Sequence, residues 1–411
     1  MNRFFSSIVL SLFCYICTTS AQQECGYVHE KNEEIERVTE RYVKNFNTNA
    51  RPRAVVKIPV VVHVIWRTAA GNISDAQIRG QIDSLTKDFR KRNVDAVNIP
   101  TQRFRDLTAD CEIEFCLATR DTLGFPSKGI VRKQTNTLNF GEQTSGSSRR
   151  VYYSRLGGDD AWRPSRYLNI WVCEFSEGGI LGYTTPLIDA LTIKTAEDGC
   201  LINVQAFGIN ANNLVGRNKA RTLVHEVGHY FNLLHIFGSD RTCNDDDGVE
   251  DTPRQAWLNS ACPSLPAPVS CPGNGGDMYM NFMDYPYDEC VLMFTKGQKS
   301  RMWATLDSYR SGLTLSGATC DPFVATSSVV EPGWTIAPNP ATTSFDIILP
   351  DEWQYAPKTI QLVDAVGRVI REKRENREGG AFDVQNVPNG LYFVKIKVEN
   401  QVFVKKMSIV K

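Results

Sequence analysis

Histidine is what this chain has least of: five residues among 411, and none beyond position 235. Neither sign of charge is in excess, with 46 basic and 46 acidic side chains. Global charge therefore gives no reason to expect a nucleic-acid partner. After the N-terminal segment no apolar run is long enough to span a bilayer, so no transmembrane segment is expected. Low-complexity tracts are missing too, and a hydrophobic content of 42% excludes wholesale disorder. What remains is a soluble or surface-attached globular chain, long enough for two or three structural units.

The N-terminus sets the compartment. Arg3, an apolar stretch from Ile8 to Ile16 and a small-residue ending at Ala21 form a secretory signal, residues 1–21. Its removal leaves Cys25, Cys111, Cys116, Cys173, Cys200, Cys243, Cys262, Cys271, Cys290 and Cys320, all disulfide candidates in an exported protein. Cys111 and Cys116 point to opposite faces of a predicted strand, which argues against a bond between them. Residues 22–53 are polar, helical near Glu30–Phe46, and end in an Arg/Pro joint containing Arg51 and Arg53. They read as a pro-peptide with a processing site, against the plainer alternative of a flexible N-terminus.

The central part mixes strands and helices. The run Lys57–Trp66 is a strand by its β-branched content, and Cys111–Ala118, Tyr167–Phe175 and Leu201–Phe207 are further strand candidates. Ser74 to Gln77 has the form of a capping box before Ile78, Ile82, Leu85 and Phe89 at helical spacing. Residues 139–150 read as a loop and residues 217–234 as helix. The fold class is α+β, occupying residues 54–320. A linker at 321–331 leads to residues 332–411, whose short strands between Pro, Asn and Gly turns predict a small all-β sandwich. That tail holds neither His nor Cys, so catalysis belongs upstream.

Three of the five histidines stand within eleven residues: His225-Glu226-Val227-Gly228-His229-Tyr230-Phe231-Asn232-Leu233-Leu234-His235. Residues i and i+4 share a helical face, so His225 and His229 can grip one metal while Glu226 lies where a carboxylate can serve as general base. A shuffled chain of this composition contains HExxH with odds of roughly a few in a thousand. His235, about 9 Å further along an unbroken helix, points the wrong way. It reaches the same ion only if the helix stops after Phe231 and turns at Asn232, a residue that tolerates the left-handed conformation. Three imidazoles leave a fourth zinc position open, which is the catalytic arrangement. A closed structural site would have no need of Glu226.

This extended motif resembles that of the metzincin metallopeptidases, and Asn232 in place of the usual Gly is similar to the pappalysin branch. Asn281-Phe282-Met283-Asp284-Tyr285 resembles that branch's methionine turn. The resemblance covers residues 55–320. It implies a secreted zinc endopeptidase with a twisted mixed sheet, a backing helix, a zinc helix and an irregular lower lobe. It further implies that Met283 floors the zinc and Tyr285 assists the oxyanion. The rival reading is a catalytically silent surface binding protein or adhesin on a protease-like scaffold; retention of all three His, Glu226 and the Met283/Tyr285 turn argues against it.

Weaker features follow from the same likeness. An acidic stretch at 240–251 suits a calcium loop as well as a solvated one, and the family favours Asp247, the Val249 carbonyl, Asp251 and Thr252 as calcium ligands. Cys243, Cys262, Cys271 and Cys290 allow three pairings, of which the resemblance implies 243–271 and 262–290. Cys25 is either a latency ligand on the zinc, as in cysteine-switch metzincins, or a disulfide partner or unpaired residue. Asp288 and Glu289 follow the methionine turn, either as a pocket selecting Arg or Lys just after the scissile bond or as surface acids. The tail, with APNPA at 337–341, LVDAVGRVI at 362–370 and VQNVPNGLYFVKI at 384–396, resembles the type IX secretion sorting domain. That implies export by this machinery and release or attachment at a bacterial outer surface; a generic binding sandwich is the alternative.

Overall fold

The computed structural model describes residues 25–27, 32–46, 54–176, 180–210, 213–239, 242–314, 320, 334–349, 358–364, 368–375, 381–398 and 401–411. The signal segment, the joint at Arg51 and Arg53, Asp240 and the linker lie outside them. The chain divides into two compact units, residues 1–117 with 130–317, and 118–129 with 318–411.

The first unit is built on β1 (Val56–Trp66), whose residues 58–65 are all buried. A strand buried on both faces belongs at the centre of a parallel sheet. The first half of β1 pairs with β2 (Ile113–Leu117) and the second half with β3 (Ile130–Gln134), both parallel. After a small hairpin, β4 (Thr144–Ser145) and β5 (Ser148–Arg149), the sheet continues through β6 (Leu168–Cys173). It ends with β7 (Gly182–Thr184), antiparallel at the edge, and β8 (Gly199–Asn203), in the order β2-β1-β6-β8-β7. The sheet is therefore mixed.

Helices α1 (Glu33–Phe46), α2 (Asp75–Phe89), α3 (Gln102–Leu107), α4 (Leu187–Thr192), α5 (Arg221–Tyr230) and α6 (Lys296–Tyr309) surround it. Ile78, Ile82, Leu85 and Phe89 of α2 are buried in the main core, each contributing about 1.5–3 kcal/mol on burial. Ser74 caps α2 by accepting from the Gln77 amide, but the Gln77 side chain donates to the Phe207 carbonyl, so only half of the expected box forms. A reciprocal box does form at Thr295 and Gln298, opening α6.

Three other expectations need adjusting. The predicted strand 201–207 stops at Asn203, because the Asn203 side chain accepts from the Gln205 amide and starts a 3-10 turn over Val204–Ala206. The loop at 139–150 contains the β4–β5 hairpin. The helix predicted over 217–234 is only Arg221–Tyr230: Ala220 is left-handed at φ 68°, and Phe231 caps the other end.

The second unit is all-β. One sheet has β9 (Thr335–Ala337), β10 (Ser344–Ile348) and β13 (Phe382–Asp383) in the order β13-β10-β9. The other has β11 (Lys358–Asp364), β12 (Val369–Glu375), β14 (Gly390–Val398) and β15 (Gln401–Ile409) in the order β12-β11-β14-β15. Trp334, Phe345, Leu362, Val394, Ile396 and Met407 form its core. Among the described residues no helix is long and apolar enough to cross a membrane.

Candidate active site

Helix α5 carries His225, Glu226 and His229, all buried, beneath the edge strand β7. Its C-terminal turn is made by Asn232 at φ 64°, with the Leu233 amide bonded back to the Gly228 carbonyl at 3.0 Å. Beyond that turn His235 faces its two predecessors. The three Nε2 atoms stand 3.1, 3.0 and 3.2 Å apart.

The opposite ring nitrogens explain why these atoms face one another. His225 Nδ1 lies 2.7 Å from the Phe282 carbonyl, and His229 Nδ1 lies 2.7 Å from the Leu233 carbonyl. A carbonyl only accepts, so each Nδ1 carries the proton and each Nε2 a lone pair. Burial holds His225 down to about 4, hence neutral. Lone pairs converging in a buried place call for a cation, and imidazole donors suit zinc. The residues present thus fit the metal.

Met283 lies beneath, wholly buried. A Cβ added to Gly228 would collide with its Sδ, so the glycine lets α5 settle onto the sulfur. The turn is pinned by Asn281, whose Oδ1 accepts from the Met283 amide at 2.9 Å and whose Nδ2 donates to Gln298 on α6 at 2.8 Å. Asp284 accepts from Gln255 Nε2, the Asn259 amide and Asn259 Nδ2 at 2.7–2.9 Å. Burial pushes its carboxyl up to about 7. Tyr285 Oη stands 3.1 Å from His235 Nε2, at the rim of the metal position.

Glu226 is fully buried, and its Oε2 accepts from Thr184 Oγ1 at 2.8 Å. Burial pushes its carboxyl up to about 7, opposed by the Thr184 hydroxyl and Cys25. Cys25 itself lies in the group: its Sγ and the three imidazole ligand atoms are all within 4.8 Å of one another. The chain around it forms a parallel bridge to β7, with the Gly26 amide donating to the Gly182 carbonyl at 2.9 Å. The Tyr27 ring stacks on His229, centroids 3.9 Å apart.

Beside His225 and Glu226 a cavity of about 30 Å³ is lined by Arg217, Thr222, Tyr285, Asp288 and others. Asp288 and Glu289 part company here. Asp288 is buried, its Oδ2 accepting from the Lys219 and Arg221 amides at 2.8 and 3.2 Å, so that it caps α5 from outside the helix. Its Oδ1 lies 3.5 Å from Arg217. Glu289 is exposed, away from the pocket and near Cys262. Asp288 thus lies at the pocket and Glu289 at the surface.

The lower lobe is stapled by Cys243–Cys271 and Cys262–Cys290. Cys111 is a free buried thiol while Cys116 is disulfide-bonded, so they are not joined. In the acidic loop Asp247 is buried; its Oδ1 accepts from Thr252 Oγ1 at 2.6 Å and from the Val249 amide at 3.1 Å, while Oδ2 has no hydrogen-bond partner among the described residues. The Val249 carbonyl also lies 2.8 Å from Thr252 Oγ1, whose one hydrogen goes to the nearer carboxylate oxygen. Asp251 turns away, accepting from Thr295 Oγ1 and the Gly297 amide at 2.6 and 2.8 Å, at the start of α6. Of the remaining histidines, His63 on β1 is engaged by Asp159 at 2.6 Å and Asn169 at 3.1 Å, and His29 lies outside the described residues.

Several contributors have no local sequence signal: Thr184 and Gly182 on a three-residue strand, Tyr27, and Arg301. Arg301 Nε donates to the Asn232 carbonyl at 2.6 Å, fixing the turn that delivers His235.

Comparison with known proteins agrees with this geometry. Residues 154–307 match the peptidase family described as pregnancy-associated plasma protein-A, and residues 335–411 match the secretion system C-terminal sorting domain. An extracellular metalloprotease of Pyricularia oryzae is 30% identical over 301 residues, 70% of this chain and 90% of the relative. Mature mirolysin of Tannerella forsythia, solved with a cleaved peptide, is 40% identical, with a TM-score of 0.61 over 66% of this chain and all of that one. A promirolysin mutant from the same organism is 37% identical, with a TM-score of 0.63 over 72% of this chain and 99% of that one.

The Gly228 contact yields a coupling test. Gly228→Ala should destabilise by about 1–3 kcal/mol through overpacking and lower the metal retained on dialysis. Adding Met283→Ala should recover part of both losses. Strictly additive effects in melting and metal content would show that the two residues do not press on each other.

Proposed function

Since this chain belongs to the pappalysin family of metallopeptidases and carries a type IX sorting domain, we propose that it is exported as a latent zinc endopeptidase. The proposed divisions are a signal at 1–21, a pro-segment at 22–53, the enzyme at 54–320, a linker at 321–331 and the sorting domain at 332–411. The observation that carries this reading is the convergence of three imidazole Nε2 atoms on one buried point beside Glu226.

His225, His229 and His235 would hold the zinc. When bound, zinc supplies Lewis-acid chemistry, drawing charge from the scissile carbonyl and acidifying a water. Glu226 takes the proton from the attacking water and delivers it to the leaving amine. With its Oε2 held by Thr184 beside the metal position, Glu226 stands where it can do both. The Tyr285 hydroxyl donates to the oxyanion that develops on the substrate.

Latency rests with Cys25. Its sulfur stands among the ligand atoms, and zinc favours thiolate. Its neighbours occupy the β7 edge and the face of His229, places a substrate strand would need. Helix α1 adds an ion pair from Glu36 to Arg301, at 2.8 and 2.5 Å. Cutting near Arg51 or Arg53 would free this segment.

Asp288 supports a preference for Arg or Lys immediately after the scissile bond, because a buried carboxylate at the pocket wall favours a cationic side chain. Calcium would sit at the Asp247 Oδ2 left without a partner, with the Val249 carbonyl and Thr252 nearby. Asp251 is a poorer candidate, being committed to α6.

Three outcomes test these points. The processed protein should hydrolyse peptides, chelation should abolish this, and Glu226→Ala should lower kcat by about 10²–10⁴; intact Cys25→Ala proform should be active before processing. Undiminished activity in Glu226→Ala, or a zinc-loaded but inert processed wild type, would sink the enzyme reading, and a latent Cys25→Ala proform the switch. Asp288→Asn should flatten a cleavage profile dominated by Arg and Lys; a wild-type profile without basic residues there rejects the pocket.

For calcium, Asp247 ionises near its usual 3.8 when unfolded but holds its proton to about 7 when folded. The calcium-free protein therefore loses stability as pH rises between those values, and the loss persists above them. Added calcium should raise Tm more at pH 8 than at pH 5, and not in Asp247→Asn. A gain independent of Asp247 would refute the site.

A further inference from the structure

The antiparallel edge strand β7 does more than border the cleft. Thr184 is wholly buried, and its Oγ1 lies 2.8 Å from Glu226 Oε2 and 2.9 Å from the Glu226 backbone carbonyl. A hydroxyl has one hydrogen to give. With Glu226 ionised, the carboxylate is the stronger acceptor, so the hydrogen goes to Oε2. On the other side of the hydroxyl, the Cys200 sulfur is 3.6 Å away, which keeps the side chain in a packed position.

Two residues earlier on the same face of β7 lies Gly182. A Cβ there would run into Glu226 Oε1. The strand thus touches both oxygens of one carboxylate: a hydroxyl grips Oε2, and a bare Cα leaves room for Oε1. Oε1 receives no N–H or O–H among the described residues. A glutamate side chain has three rotatable bonds, and nothing on α5 itself would hold this one in a single orientation.

We propose that Thr184 is the positioning residue of the general base, fixing Oε2 so that Oε1 is the oxygen presented to the attacking water. This rests on the assignment of Glu226 as general base. Thr184 touches neither substrate nor metal and acts through Glu226 alone. Gly182 is the complementary requirement, since any side chain there would displace the oxygen that works.

The test uses the processed enzyme. Thr184→Val removes the hydroxyl at nearly constant shape and should lower kcat about 10- to 100-fold, the scale expected of a misplaced catalytic group. KM should stay within about twofold, as for a group that acts only in the transition state. Bound zinc and Tm should match wild type, and a crystal structure of the variant should show the Glu226 carboxylate displaced or in two rotamers. Thr184→Ser should recover most of the loss. In a Glu226→Ala background Thr184→Val should cost nothing further, because the residue it orients is gone.

The proposal is overturned if Thr184→Val keeps wild-type kcat, if Thr184→Ser is as impaired as Thr184→Val, or if the loss persists in the Glu226→Ala background. Should Thr184→Val not fold, the comparison of Thr184→Ala with Thr184→Ser decides the same question. An active, Glu226-dependent wild type with an unaffected Thr184→Val refutes this inference alone. A wild type insensitive to Glu226→Ala refutes the assignment beneath it.

Discussion

Three imidazoles aimed at one another through their Nε2 atoms form an arrangement that polypeptide alone does not favour. Their Nε2 atoms stand 3.0–3.2 Å apart, and backbone carbonyls take the protons that could otherwise have bridged two of them. Without a cation between them, the lone pairs of His225 and His229 repel. Much of the catalytic unit consists of devices that hold this arrangement. The Asn232 turn brings His235 back, and Arg301 fastens the carbonyl of that turn from α6. The Phe282 carbonyl orients His225 from the methionine turn, which Asn281 ties to Gln298 at the start of the same α6. One helix therefore braces both the turn that follows α5 and the turn beneath it.

Under the proposed latency, the same geometry accounts for how the N-terminal segment silences the site. An edge strand offers unpaired backbone groups, and whichever extended segment pairs with it gains the cleft. Cys25 and Gly26 pair there at Gly182, while Tyr27 covers His229. The segment thereby engages three different things at once: a strand edge, an aromatic face and a ligand position. Its helix α1 adds an anchor through Glu36 on Arg301, the residue that also holds the Asn232 carbonyl. The N-terminal helix and the metal geometry thus meet at one guanidinium.

How far this was legible in the linear chain follows from locality. The eleven residues from His225 to His235 announce their chemistry because helical periodicity and one required turn determine where each imidazole points. The α2 face and β1 were readable for the same reason: their burial patterns repeat at 3.6 and 2 residues or run unbroken. Helix α6 was not anticipated, since residues from Ser300 to Leu306 are buried all round and leave no polar face to mark a period. The early start predicted for the zinc helix failed because its N-terminus is capped by Asp288, 67 positions from Arg221. Thr184 was invisible for a like reason. A three-residue strand has no pattern, and its importance lies wholly in what stands opposite.

Asp288 shows how closely the pocket wall and the metal site are joined. One of its oxygens takes the amides of Lys219 and Arg221 at the mouth of α5; the other lies toward Arg217 in the pocket wall. A carboxylate at a helix N-terminus is stabilised by the unpaired amides there, which opposes the burial that raises its proton affinity. The same acid keeps the helix started in register for His225 and Glu226. Since α5 begins at Arg221, only one turn separates that cap from the first metal ligand. A substitution that changes the charge at Asp288 therefore also loosens the start of the zinc helix, so the pocket wall and the catalytic geometry are not independent there.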